Sequence, residues 1–250
     1  MEASQAGPFV YSDTASSRAE IESVSERLAG GTIMIIGCGG TGSYVLDLLA
    51  KTPVDKIILV DGDVMEQHNA FRAPGAPSLK EVSAGTKKVD YFANIYSKMH
   101  ARIEPVDTYL AVDNLTLLDG VDFAFVCVDT LDARTFLIPA LQEREIPFID
   151  AGLGLELAGD AILGQIRVTT STSKQGAHCQ SRIPAAAGDS EIYRSNLQIA
   201  DMNALAAALA VIRYKRLRGF YVDSEGEYNS IYVVDGNDVI NTDHSAQLAV

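Results

Sequence analysis

The chain has 250 residues, 47% hydrophobic and 21% charged, enough apolar material for one large α/β domain or a domain with a modest appendage. Its 20 Lys and Arg face 33 Asp and Glu, and the net charge of −13 disfavours long-range attraction to nucleic acid or anionic membranes. The longest charge-free run, residues 28–46, is broken by glycines, Thr and Ser and is no bilayer span; the N-terminus lacks a basic region before an apolar core, and the expected location is the cytoplasm.

Residues 1–16 are polar and mixed and read as a loose arm. Residues 17–29 carry Ile21, Val24 and Leu28 at helical spacing and predict a short helix, so 1–29 forms an arm and short helix ahead of a single domain over 30–250. The apolar run 32–36 ends in a glycine cluster, and residues 43–51 follow with helical periodicity: strand, glycine loop, helix. A second buried strand, 57–60, ends at Asp61. The irregular segment 62–77 holds Pro74 and Pro77 and precedes a helix over about 85–100. Residues 103–110 alternate weakly and predict a third strand, 121–128 a fourth, 131–144 a helix and 147–149 another strand. Apolar strands alternating with helices predict an α/β fold with a Rossmann-like, doubly wound, mainly parallel sheet.

After Asp150 the pattern changes. Residues 162–170 read as a strand and 171–190, rich in Ser, Gly, Ala and Pro, as a mobile crossover loop. Ser195 and Gln198 have capping-box spacing ahead of an apolar stripe at Met202, Leu205, Leu209 and Ile212. Arg213, Lys215, Arg216 and Arg218 complement the C-terminal dipole of that helix, and Gly219 supplies its cap. Residues 220–222 and 228–234 predict a closing antiparallel strand pair, so a C-terminal helix and strand extension occupies 191–240; residues 241–250 read as a frayed end.

Gly37, Cys38, Gly39, Gly40, Thr41, Gly42 and Ser43 lie between a strand and a helix. There, glycines let the backbone approach a phosphate, and the helix N-terminus supplies N–H groups and positive potential. Asp61, ending the next strand, is placed to accept hydrogen bonds from ribose hydroxyls. These two features fit NAD as well as ATP, and the bland reading is a glycine turn that binds nothing. Downstream come Asp61-Gly62-Asp63, Asn69-Ala70-Phe71-Arg72, Gly85-Thr86-Lys87-Lys88 and Asp129-Thr130-Leu131-Asp132-Ala133-Arg134. In this order the set resembles the ThiF/MoeB family, including the E1-like adenylation domains of ubiquitin-activating enzymes, closely over residues 29–155 and more loosely over 196–215.

The resemblance implies ATP and Mg²⁺ as cofactors and adenylation of the C-terminal carboxylate of a ubiquitin-like or sulfur-carrier protein ending in Gly-Gly, by a homodimer. It implies a nucleotide site of Gly37, Gly39, Gly40, Gly42, Ser43, Asp61, Asp63 and Asn69, with Asn69 fixing a phosphate or the loop and Asp63 orienting Arg72. Arg72 and Lys88 would neutralise the triphosphate and the charge developing at the α-phosphorus, and Asp129 would hold Mg²⁺. The bland readings are solvated surface charges for Arg72 and Lys88 and a helix N-cap for Asp129. Arg134 braces Asp129 and stays outside the core set. The Arg-Tyr-x-Arg-Gln pattern by which the family often supplies a partner-subunit arginine is absent, which leaves Arg18 or Arg27 as the substitute. His68 reads as an incidental loop residue. No His-centred dyad or triad is evident, and none is needed: a C-terminal α-carboxylate, with pKa about 3.5, is already ionised at neutral pH.

Cys179, with His178, Lys174 and Arg182 near it in sequence, stands where the ubiquitin-activating branch carries its thioester cysteine. It is either that nucleophile or an idle thiol in a Ser/Ala-rich loop. Cys38 and Cys127 read as packing residues, and with these three cysteines alone neither a disulfide framework nor a zinc site is expected. Two other functions remain open. An NAD-dependent oxidoreductase leaves Asn69, Arg72, Lys88 and Asp129 without a joint purpose; a non-catalytic nucleotide-binding subunit of an activating heterodimer typically lacks the phosphate Arg, the Lys or the metal Asp, all present here.

Overall fold

The structure is a computed structural model and describes residues 7–184 and 197–245. Two short helices, α1 (Thr14–Arg18) and α2 (Glu22–Ser25), and a 3₁₀ turn (Glu26–Leu28) lead into β1 (Thr32–Ile36), α3 (Gly40–Leu49) and β2 (Lys56–Val60). Then come α4 (Gln67–Ala70), α5 (Leu79–Ser83), α6 (Lys88–Tyr96), β3 (Ile103–Val106), a 3₁₀ segment (Val112–Leu118), β4 (Phe123–Val126) and α7 (Leu131–Glu143). β5 (Phe148–Ala158), β6 (Ala161–Ser171), α8 (Cys179–Arg182), α9 (Ala200–Leu217), β7 (Glu227–Val233) and β8 (Asp238–His244) complete the order.

One eight-stranded sheet runs β3-β2-β1-β4-β5-β6-β7-β8. Its first five strands are parallel and its last three pairings antiparallel. The central strands are apolar on both faces because helices cover both. Ile33, Ile35 and Phe125 pack toward Leu46, Phe92 and Ala210, while Met34, Ile36, Ala124 and Val126 pack toward Leu137 and Leu141. α9 lies against α3. Fully buried Ala206, Ala207 and Ala210 on α9 keep the side chains there short enough for the helices to approach. Among the described residues no helix is long and apolar enough to cross a membrane.

Several local expectations change. Residues 17–29 are not one helix, because Glu20 adopts φ 56°, a left-handed conformation that no helix continues through; Asp13 caps α1 by accepting from the Ala15 and Ser16 N–H groups. Residues 220–222 form no strand; β7 pairs instead with β8, which includes residues 241–244. The link between them contains Asp235-Gly236-Asn237, with Asn237 at φ 52°, a turn signal the sequence carried. β6 continues through Ser171 and α8 follows it, so the expected crossover loop is partly structured. α9 begins only at Ala200, with Ile199 at the N-cap position, and Ser195 of the expected capping box lies outside the described residues.

Candidate functional site

A cleft of about 800 Å³ opens along the carboxyl edge of the parallel strands, where α/β sheets place ligands. Gly37, Gly39, Gly40, Asp61, Asp63, Asn69, Arg72, Lys88 and Asp129 all line it. The glycine loop is shaped by close approach. Gly37 adopts φ 90°, and a Cβ there would fall 2.8 Å from the Cys127 carbonyl oxygen; a Cβ on Gly42 would fall 1.8 Å from the Gly37 carbonyl oxygen. Among the described residues Gly39, at the N-cap of α3, has open space around it and no capping side chain, so the first turn of the helix faces the cleft without one. Gly42 and Ser43 do not line the cleft: both are buried behind the loop, and Ser43 Oγ donates to the Gly40 carbonyl at 2.8 Å.

Asp61 accepts from the Cys38 N–H at 2.7 Å and from the Asp63 N–H at 2.8 Å, fixing both turns that flank it. Lys88 Nζ donates to Asp63 Oδ2 at 2.5 Å, and the Tyr109 hydroxyl donates to the other oxygen. Partial burial pushes the Asp63 carboxyl up, but the Lys88 and Tyr109 hydrogen bonds with the Lys88 and Lys87 charges outweigh it and hold the group below the usual carboxylate range. Asp63 thus pairs with Lys88 rather than orienting Arg72. The Asn69 side chain is buried and accepts from the Glu66 N–H at 2.9 Å, one of the two reciprocal bonds of the capping box that opens α4. Arg72 lines the cleft with its Nε buried and without an acceptor among the described residues. Asp129 is exposed past the end of β4; Thr130, not Asp129, occupies the N-cap position of α7.

Two arginines form a buried cluster at the other end of the cleft. Arg134 Nε donates to Asp150 Oδ2 at 2.9 Å, and Arg167 Nη2 to Asp150 Oδ1 at 2.5 Å. Burial pushes the Asp150 carboxyl up, but the two guanidiniums outweigh it and leave it below its ordinary value. Arg134 therefore braces Asp150, not Asp129. Sequence reasoning missed Asp150, Arg167 and Tyr109, and also Asn203, whose Oδ1 accepts from the Thr41 hydroxyl at 3.0 Å and whose Nδ2 donates to the Arg72 carbonyl at 3.4 Å. The one available signal was Asp150 ending an apolar run, as Asp61 does.

Cys179 lies outside the cleft lining, 1% exposed, in the apolar cluster around Met34, Ile36 and Ile183. Burial pushes its thiol up to about 11, and burial likewise raises Cys127 to about 12 and Cys38 well above the ordinary value. Arg27 donates to the Gly219 carbonyl at 2.6 Å at the far end of α9 and does not line the cleft; neither does Arg18.

A glycine loop, an acidic strand end and cations converge at the carboxyl edge of a doubly wound sheet, which defines a Rossmann-like α/β protein with its cleft where such folds place ligands. The chain belongs to the ThiF family, whose model matches residues 12–238. Ubiquitin-like modifier-activating enzyme 5 of Drosophila ananassae is 26% identical over 153 residues, 57% of this chain and 38% of that one. The Aedes aegypti enzyme of the same name is 28% identical over 163 residues, 60% and 40%. The matches thus span well under half of those relatives' length. Among solved structures, E. coli MccB with MccA-N7isoASN superposes with TM-score 0.71 at 20% identity, over 96% of this chain and 74% of that one. PaaA superposes with TM-score 0.68 at 17% identity, over 97% and 77%, and E. coli MccB with ATP with TM-score 0.64 at 22%, over 91% and 68%. At these identities the likeness is one of fold.

Proposed function

We propose that the chain binds ATP across this cleft and adenylates the C-terminal carboxylate of a small ubiquitin-like or sulfur-carrier protein ending in Gly-Gly. The observation that carries the reading is Arg72, a guanidinium whose buried Nε has no acceptor among the described residues and which lines the cleft with the glycine loop, Asp61 and Lys88. Asp61 takes the ribose hydroxyls, the loop and the first turn of α3 cradle phosphates, and Arg72 and Lys88 meet the charge developing around the α-phosphorus. A substrate carboxylate oxygen attacks that phosphorus; the new O–P bond forms as the bond to the bridging oxygen breaks, and pyrophosphate leaves with the electron pair. No proton moves, so no base is required.

Asp129 is the residue that would hold Mg²⁺. No cluster of three metal-ligating side chains exists among the described residues, which suits an ion held by one carboxylate plus substrate phosphates and water. Bound there, Mg²⁺ would screen the phosphate charge. A thioester on Cys179 stays outside this reading, since its thiol is buried, raised in pKa and away from the cleft. A cytoplasmic location and a homodimer belong to the same reading; exposed Val239 and Ile240 on edge strand β8 favour assembly, and sedimentation tests it.

Pyrophosphate exchange into ATP, with Mg²⁺ and candidate Gly-Gly-ended carriers, tests the activity. Exchange should depend on both carrier and metal and vanish in Asp129→Ala; exchange that survives in Asp129→Ala overturns the metal assignment.

A further inference from the structure

The cleft crosses the sheet edge in strand order. Asp61 and Tyr109 stand at its β2–β3 end, the glycine loop and Asp129 at its centre, and Arg134, Gly152, Leu153 and Arg167 at its β5–β6 end. A nucleotide whose ribose meets Asp61 and whose phosphates meet the loop leaves that last third for the second substrate. The two arginines there come from α7 and β6, and each is less than a tenth exposed. Both are held by Asp150, fully buried at the last parallel pairing of β5 with β4.

The arrangement is built by close approach. A Cβ on Gly152 would fall 2.6 Å from Arg167 Nη2, so a glycine is what lets Arg167 cross β5 to reach Asp150. Arg167 Nη1 also donates to Thr169 Oγ1 at 2.6 Å, and Thr169 to Asn229 Oδ1 at 2.8 Å, which ties the cluster into β7. Among the described residues Arg134 makes its hydrogen bonds through Nε to Asp150 and Nη1 to the Thr130 carbonyl, and its Nη2 is the remaining donor on a side chain that lines the cleft. Leu153 and Phe136 line the same end, an apolar wall for an extended chain.

We propose that Arg134 and Arg167, positioned by Asp150, form the subsite that receives the carboxylate-bearing peptide tail of the acyl substrate. The proposal rests on the adenylation reading above. A guanidinium that holds one carboxylate oxygen while the other attacks offsets the repulsion between a carboxylate and a triphosphate. The arginines bind; Asp150 acts through them.

The probe is a fluorescently labelled hexapeptide ending in Gly-Gly, as free acid and as amide, titrated by anisotropy onto the full chain saturated with Mg²⁺ and a non-hydrolysable ATP analogue. The acid should bind at least about tenfold tighter than the amide, the order of one charge-assisted hydrogen bond. Arg134→Gln and Arg167→Gln should each erase most of that preference while analogue affinity stays within about twofold, and Arg167→Lys should restore part of it. Asp150→Asn should lose the preference too; because that variant also weakens a buried cluster, its melting temperature is read alongside, and the two arginine variants, each leaving Asp150 one partner, decide the matter. Equal binding of acid and amide, no peptide binding with analogue binding intact, or variants that keep the preference overturn the subsite. Failure of the wild-type chain to bind the analogue overturns the nucleotide reading itself.

Discussion

Arg72 carries a cost in the free protein. A buried N–H donor without an acceptor is worth about 1–3 kcal/mol of lost solvation, and the Nε of Arg72 is such a donor among the described residues. The reading that an anionic ligand supplies the missing acceptor separates function from stability. Arg72→Ala should lower pyrophosphate exchange by about 10²–10³-fold, the scale of one lost transition-state donor, while leaving the urea midpoint unchanged or slightly raised. A variant that loses activity only because it unfolds would make Arg72 a structural residue. Lys88 is a different case. Its ammonium already rests on Asp63, so a triphosphate must compete with a carboxylate that hydrogen bonds hold ionised.

At the scale of elements, the turn from β1 into α3 has two kinds of glycine. Gly42 has the Gly37 carbonyl where its Cβ would be, so Gly42→Ala forces the loop off the helix. Overpacking of this sort costs about 1–3 kcal/mol, and denaturant unfolding should show that loss together with impaired nucleotide binding. Gly39 has open space, so Gly39→Ala should keep its stability and lose only nucleotide affinity, the added methyl standing in the cleft. Equal destabilisation of the two variants would contradict this division. The same turn explains what the sequence made legible. Strand, glycine loop, helix and terminal acid are contiguous, so local pattern carries them. Asp150, Arg134 and Arg167 come from β5, α7 and β6, and only the tertiary fold brings them together; Arg167 alone, inside an alternating strand, gave no signal of a partner. β8 went unread because Asp238, Asn241, Thr242 and Asp243 break the apolar alternation that marks a strand, although the Asp235-Gly236 turn announced it.

Because one sheet serves both cores, neither apolar layer can be released without the other, and the described chain should unfold as one unit. Acid is the informative denaturant. The carboxyls of Asp63, Asp150 and Asp243 all sit below their ordinary value in the fold, Asp150 because its two arginines outweigh its burial and Asp243 because hydrogen bonds from Arg182 and Thr242 and nearby positive charge outweigh its own. An unfolded Asp titrates near about 3.9, so in the interval below that value the unfolded chain binds more protons than the native one. Stability from these groups is therefore complete above about pH 5 and declines as the pH falls through the folded-state values. Far-UV circular dichroism and tyrosine fluorescence, the chain having no Trp, should report one coincident acid transition below about pH 4. Asp150→Asn removes the most buried of these carboxylates and leaves Arg134 and Arg167 facing each other, which should cost about 3–5 kcal/mol at pH 7 and make the remaining stability less steep in pH. If the variant instead keeps the wild-type slope below pH 5, the Asp150 carboxylate is not what couples the fold to acid, and the other lowered carboxyls, Asp13, Asp63, Glu81 and Asp243, carry that dependence.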